Sequence, residues 1–130
     1  MTRFEKEVLA WIAANCGDPA VQGQLQAARI SSRDHTGKGC YSELVMPAGT
    51  PPTQASYGRH GPLAGPGFES PSIEHGGGPL LWFQDGLART LEVFTYTGGF
   101  PMDHDELGAF ALRDDRADGD EHLSPVPRRP

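Results

Sequence analysis

The side chains of this sequence most capable of chemistry are histidines, cysteines and carboxylates in three short stretches. His35 lies five residues before Cys40, Glu74 precedes His75, and Asp103-His104-Asp105 places an imidazole between two carboxylates. Nitrogen and oxygen donors of these types suit zinc or a related divalent ion, and a histidine beside a thiol suits nucleophilic catalysis. Glu74 and Glu92 are the carboxylates that acid–base chemistry would use.

Each of these chemistries lacks a partner motif. The H-E-x-x-H and C-x-x-C spacings of metal sites are absent, and the H-G-G-G run at residues 75–78 has no accompanying G-x-S-x-G nucleophile elbow. A glycine run ahead of a strand more simply allows close backbone approach. His35 facing Cys40 across a hairpin is expected to be a structural histidine beside a buried thiol. We therefore expect no catalytic residue, no metal site and no cofactor.

The elements that must position these residues are organised around one hairpin, residues 76–100. Asp85-Gly86 tolerates the positive φ angles of a type I′ turn and stands between two apolar runs. A two-residue turn places Gln84 opposite Leu87, and strict alternation then predicts two faces. One holds Leu80, Trp82, Leu87, Leu91 and Val93, and the other holds Leu81, Phe83, Glu92, Phe94 and Tyr96. Because both are largely apolar, the strands are covered on both sides or present one side to a partner.

The predicted fold is α+β, with an antiparallel sheet of four or five strands and an N-terminal helix packed on one face. Thr2 and Glu5 form a capping box for a helix over residues 3–15, which Gly17 ends. Strands are predicted over residues 25–33 and 40–46, although residues 24–28 alternatively continue a helix. A last edge segment uses Phe110 and Leu112.

The predicted domain organisation is a single domain over residues 1–112. Residues 47–79 form a long loop with eight glycines and seven prolines, and residues 113–130 form a disordered, charged and proline-rich tail. Residues 50–67 are expected to be mobile and residues 68–78 ordered against the sheet.

The net charge of −6 is concentrated in one segment of the sequence. Residues 101–121 contain eight acidic residues and two arginines, whereas the other 109 residues are neutral. This distribution argues against a nucleic-acid partner, since no basic stripe is present to neutralise phosphates. Apolar runs are too short to span a membrane and the N-terminus lacks the features of a secretory signal, so a cytoplasmic protein is expected. An acidic patch suits a protein partner with a basic surface.

A set of motifs gives the chain a family resemblance. These are H-T-G-x-G at residues 35–39, E-H-G-x-G at residues 74–78, Asp85-Gly86 and L-E-V-F-T-Y at residues 91–96. Together they resemble a family of small uncharacterised bacterial α+β proteins over about residues 25–103. The resemblance implies a fold but no activity, catalytic residue or cofactor. By analogy of size and charge, small acidic bacterial α+β proteins include immunity proteins that neutralise toxins.

The leading expectation is therefore a non-catalytic protein-binding domain, an immunity-type inhibitor that docks on a basic toxin domain. Its predicted partner-binding residues are aromatics rimmed by acids, namely Phe83, Glu92, Phe94, Tyr96, Asp103 and Asp105. The alternative is a small metal-dependent or acid–base enzyme with a site near His75 and Asp103. A third possibility is a homodimer formed through an exposed strand or apolar face.

Overall fold

A computed structural model describes residues 1–114 as an α+β domain in which helices cover one face of an antiparallel sheet. The helices are α1 (Arg3–Asn15), α2 (Pro19–Ala27), α3 (Tyr57–His60) and a 3₁₀ helix (His104–Leu107). The strands are β1 (Arg29–His35), β2 (Gly39–Val45), β3 (Leu63–Ala64), β4 (Gly67–Glu69), β5 (Gly77–Gln84), β6 (Leu87–Thr95) and β7 (Ala111–Arg113). None of the helices in this part of the chain is both long and apolar enough to cross a membrane.

The seven strands form one sheet in the order β1-β2-β6-β5-β4-β7, and β3 pairs with β5. The expectation of four or five strands was therefore too low. The additional strands, β3 and β4, are short and come from the glycine- and proline-rich segment 47–79, where the sequence has no period-2 pattern to signal them. Residues 113–130 were predicted to form a disordered tail. Of these, residues 115–130 lie outside the described part of the chain.

Helix α1 begins and ends as its sequence predicts. The Thr2 side chain accepts from the backbone N–H of Glu5, the Glu5 carboxylate accepts from the Thr2 N–H, and Gly17 follows the helix with φ of 67°. The stripe facing the sheet is buried and consists of Phe4, Val8, Leu9 and Ile12. It packs on the inner face of the sheet, which contributes Leu81, Leu91 and Val93 to the same core.

Helix α2 occupies residues 25–27 of the predicted strand over residues 25–33, in agreement with the alternative of a helix over residues 24–28. Asp18 accepts hydrogen bonds from the N–H groups of Ala20 and Val21, and Pro19 occupies the first turn, so the helix has a well-defined start. Strand β1 begins only at Arg29. The side chain of Gln24 joins this helix to the rest of the fold, because it is fully buried and bonds to Pro51 O, Gly86 O and Ala88 N.

The central hairpin has the predicted turn but not the predicted faces. Asp85 and Gly86 have φ angles of 54° and 82°, and Gln84 lies opposite Leu87. A β-bulge then shifts the register, since Phe83 pairs with Ala88 whereas Trp82 pairs with Thr90. The extra residue, Arg89, shifts every later pairing by one residue. Each residue of β5 beyond the bulge therefore shares a face with different residues of β6 than strict alternation predicts.

Candidate functional site

The bulge creates an aromatic and acidic patch on the face of the sheet opposite α1. Register places Tyr41 and Leu80 opposite Glu92, and Trp82 opposite Thr90 two residues earlier on β6. We call Tyr41, Trp82, Glu92, Phe94 and Tyr96 the outer-face patch. Tyr41 and Trp82 were not among the predicted site residues, because strict alternation assigned Trp82 to the other face and the partner of β2 could not be read from the sequence.

Glu92 lies at the centre of the outer-face patch and is held by aromatic donors. The Trp82 indole Nε1 donates to Glu92 Oε1 at 2.9 Å, and the Tyr41 hydroxyl donates to Oε2 at 3.4 Å. Glu92 is only 6% exposed, whereas Tyr41 is 38% exposed. The carboxylate is thus oriented by two side chains that themselves reach the surface, which fixes its position before any partner arrives.

Phe94 and Tyr96 extend the outer-face patch along β6. Their ring centroids are 5.9 Å apart, and Tyr96 is 48% exposed. Phe94 lies opposite glycine on both neighbouring strands, Gly39 on β2 and Gly78 on β5. A Cβ atom at Gly78 would lie 3.4 Å from Phe94 Cζ and 3.6 Å from the Tyr96 hydroxyl. The two rings therefore cover the glycine at the start of β5.

Further carboxylates surround the patch. Asp34 on β1 lies opposite Tyr41, and Glu43 on β2 lies opposite Thr90, so both belong to the same face. Asp34 is exposed, and Glu43 is half-buried and forms an ion pair with Arg89 at 3.3 Å. The outer face therefore carries the carboxylates of Asp34, Glu43 and Glu92, and Arg89 is paired with Glu43.

The remaining predicted partner-binding residues do not belong to this patch. Phe83 packs against the core, and its ring centroid is 5.2 Å from that of Tyr57. It lies between the bulge and the turn of the hairpin, where the register is not shifted. Asp103 caps the 3₁₀ helix by accepting from the Asp105 N–H at 3.0 Å, and both aspartates are exposed. The structure thus brings together Glu92, Phe94 and Tyr96 and separates them from Phe83.

A second polar group lies on the inner side, where α1 meets β1 and β2. Arg33 donates to both Glu5 oxygens, at 2.8 and 2.6 Å, and the Ser42 hydroxyl donates to Oε2 at 2.8 Å. Burial acts to raise the pKa of Glu5, but the bonds from Arg33, the Thr2 N–H and Ser42 outweigh it and bring this pKa to about 2. Glu5 is therefore a fully buried carboxylate that stays ionised.

Beside Glu5 lie His35, Cys40 and His104. His35 and Cys40 are directly paired at the end of the β1–β2 hairpin, as predicted, with Nε2 and Sγ 4.0 Å apart. The His104 ring lies 5.6 Å from that of His35, and His104 Nδ1 is 4.0 Å from Glu5 Oε2. Burial raises the pKa of the Cys40 thiol and lowers that of His104. A thiol that resists ionisation is a poor nucleophile in this state.

The predicted site near His75 and Asp103 does not assemble as a ligand cluster. His75 is exposed and its Nδ1 lies 2.6 Å from the Thr97 hydroxyl. Within residues 1–114, the group of three metal-ligating side chains that come within reach of one another consists of His35, Cys40 and His104. His104, one of the candidates named from the sequence, therefore lies with His35 and Cys40 rather than with His75.

Comparisons with known proteins add no relative. No protein-family model matches the chain, and neither the curated proteins nor the solved structures contain a significant match to it. The geometry of the outer-face patch and of the inner cluster is thus the basis for assigning a function.

Proposed function

We propose that the protein is a binding protein that docks the outer-face patch on a basic surface of another protein, as an immunity-type inhibitor of a bacterial toxin does. The observation that supports this most is the Glu92 carboxylate, buried at the centre of the patch and oriented by Trp82 and Tyr41. Glu92 lies among aromatic anchors, an arrangement typical of interface hot spots.

The charge of the outer face favours a basic partner. Asp34 and Glu43 flank the patch, and the guanidinium of Arg89 forms an ion pair with the Glu43 carboxylate. Carboxylates arranged around exposed rings would attract a cationic cleft and then bury aromatic area against it. A toxin that acts on nucleic acid presents such a cleft, because it must neutralise phosphates.

The test begins with affinity capture from the native lysate, using the full-length protein at low and moderate salt. A captured protein is then purified, and its dissociation constant is measured by calorimetry with the wild type and with two variants, Tyr96→Ala and Glu92→Gln. Each change is expected to weaken binding by about 30-fold, the effect of losing roughly 2 kcal/mol at a hot spot. Inhibition of the partner's own activity should weaken in parallel.

Met102 provides the matched control. Its side chain is 75% exposed and lies outside the outer-face patch, so Met102→Ala should bind like the wild type. Thermal unfolding of each variant shows whether its fold is intact. Binding that is unchanged in folded Tyr96→Ala and Glu92→Gln proteins would remove the patch from the interface. A captured partner whose activity is unaffected would contradict the inhibitor assignment.

A further inference from the structure

His35, Cys40 and His104 come from distant parts of the chain and are brought together by backbone hydrogen bonds. The turn between β1 and β2 holds the segment that leads to His104, since the Phe100 N–H donates to Gly37 O at 2.9 Å and the Thr95 N–H to Lys38 O at 3.0 Å. One ligand atom from each of the three side chains lies within 4.8 Å of the others.

The histidines have unused hydrogen-bonding capacity in a buried place. Among the described residues, the buried side-chain N and O atoms without a hydrogen-bond partner are His35 Nδ1 and His104 Nε2. Buried polar atoms are nearly always paired, so two orphans in touching rings require an explanation. The His104 ring is only 2% exposed, which leaves water little access to it.

The position of the Thr2 hydroxyl affects which ring nitrogen of His104 is available to bind a metal ion. Thr2 Oγ1 lies 3.0 Å from His104 Nδ1. If the Nδ1–H donates to this oxygen, Nε2 presents a bare lone pair, the state in which imidazole binds a metal. Glu5, 4.0 Å from Nδ1, favours the same tautomer because it attracts the N–H. A ligating histidine whose other ring N–H is held by a carboxylate, a backbone carbonyl or water is the usual arrangement around protein-bound metals.

We propose that His35, Cys40 and His104 form a mononuclear binding site for a transition-metal ion of the zinc type. Two imidazoles and one thiolate match the preferences of this ion, which accepts nitrogen and sulfur ligands in a tetrahedral arrangement. Bond lengths of about 2.0–2.1 Å to nitrogen and 2.3 Å to sulfur, in a tetrahedral arrangement, require ligand atoms roughly 3.3–3.6 Å apart. Because the three ligand atoms lie within 4.8 Å of one another, the separations need a contraction of about 1.5 Å at most.

Binding replaces the proton of Cys40 by the metal. The thiol Sγ–H bond breaks, the sulfur forms a bond to the ion, and the proton leaves to solvent. The Glu5–Arg33 ion pair contributes no net charge, so the site gains a single positive charge from the ion and thiolate together. His35 is half-buried next to the exposed residues 36–38, which provides a route of entry. Three protein ligands leave a fourth position for water or another small ligand.

The experiment uses the full-length protein, stripped of metal with a chelator and titrated with Co²⁺, followed by competition with Zn²⁺. Cobalt bound to a thiolate gives a sulfur-to-metal charge-transfer absorption, and tetrahedral cobalt gives intense visible bands. The expected result is saturation at one Co²⁺ per chain, with both signals displaced by Zn²⁺. Cys40→Ser should lose the charge-transfer absorption, and His104→Asn should weaken binding by more than about 100-fold, beyond the loss typical of a supporting residue.

Matched controls come from the residues that share these side-chain types. Cys16→Ser and His75→Gln should bind Co²⁺ as the wild type does, since neither residue lies in the cluster. Because Cys40 and His104 are buried and their variants could unfold, His35→Asn at the half-buried rim gives an independent measurement and should also weaken binding by more than about 100-fold. Failure of the folded wild type to bind one Co²⁺ would overturn the proposal, as would wild-type affinity in His35→Asn or a charge-transfer absorption lost in Cys16→Ser.

Discussion

Glu5 and Arg33 form a buried ion pair that joins α1 to the edge strand β1. Both Glu5 oxygens accept from the guanidinium, and the side chains of Glu5 and Arg33 are 0% and 31% exposed. Because Glu5 also completes the capping box of α1, one carboxylate both starts the helix and fixes it to the sheet.

Replacing Glu5 with Gln should destabilise the fold by about 3 kcal/mol. The amide has nearly the same shape, but it leaves the Arg33 guanidinium without its charged partner and aims an NH₂ group at existing donors. Urea unfolding followed by circular dichroism measures the loss. Glu7→Gln is the control, because the Arg3–Glu7 pair is exposed on the same helix and should contribute about 0.5 kcal/mol or less. Equal effects of the two changes would contradict this account of Glu5.

The same ion pair makes the stability of the fold depend on pH. The pKa of Glu5 is about 2 in the folded protein, below the 4.5 of the free side chain, so its contribution is complete above pH 4.5 and is lost as pH falls towards 2. Burial also lowers the pKa of His104 from 6.5, so a further loss begins below that pH. Urea midpoints measured from pH 7 to 3 should fall steeply below pH 4.5, and Glu5→Gln should flatten that part of the curve. An unchanged slope in the variant would be inconsistent with a low Glu5 pKa.

Two adjacent glycines should respond very differently to alanine. At Gly77 an added Cβ would lie 2.1 Å from the Phe94 carbonyl oxygen, a backbone atom that cannot move aside. Gly77→Ala should therefore cost about 3 kcal/mol or more. At Gly78 the nearest atom would be Phe94 Cζ at 3.4 Å, so Gly78→Ala should change stability by less than about 1 kcal/mol. Thermal and urea unfolding of the pair provide the comparison, and similar losses would show that the strands are spaced differently.

Replacing Gln24 should destabilise the fold far more than replacing an ordinary helical glutamine. Its buried amide bonds to Pro51 O, Gly86 O and Ala88 N, linking α2 to the turn of the central hairpin. Gln24→Leu leaves these backbone groups unpaired and should cost about 3 kcal/mol or more. The exposed Gln26 is the control on the same helix, and Gln26→Leu should stay within about 0.5 kcal/mol of the wild type.

The features that the sequence predicts well are those with local causes. Thr2, Glu5 and Gly17 define α1 within its own turns, and Asp85-Gly86 defines the hairpin because only such residues tolerate its φ angles. The pairing of His35 with Cys40 follows from the short turn between them. Asp18 before Pro19 was an available signal for α2, although residues 25–33 were predicted as a strand.

The features that could not be predicted depend on contacts distant in sequence. Nothing local marks Arg89 as the bulged residue, yet its insertion brings Trp82 to the face of Glu92 and turns Phe83 towards Tyr57. His104 joins His35 and Cys40 only because the segment after β6 is bound to the β1–β2 turn. The outer-face patch and the inner cluster therefore both required the three-dimensional arrangement.

The most direct test of the proposed binding surface uses the two tryptophans of the chain. Trp82 belongs to the outer-face patch, whereas Trp11 lies on α1, on the opposite side of the sheet. The two indole N–H resonances of ¹⁵N-labelled full-length protein, assigned with Trp11→Phe and Trp82→Phe, are followed while the captured basic protein is added. Binding through the outer face predicts a shift of the Trp82 resonance, because its hydrogen bond to Glu92 is perturbed, and an unchanged Trp11 resonance. A shift confined to Trp11, or saturable binding without any change at Trp82, would contradict the account.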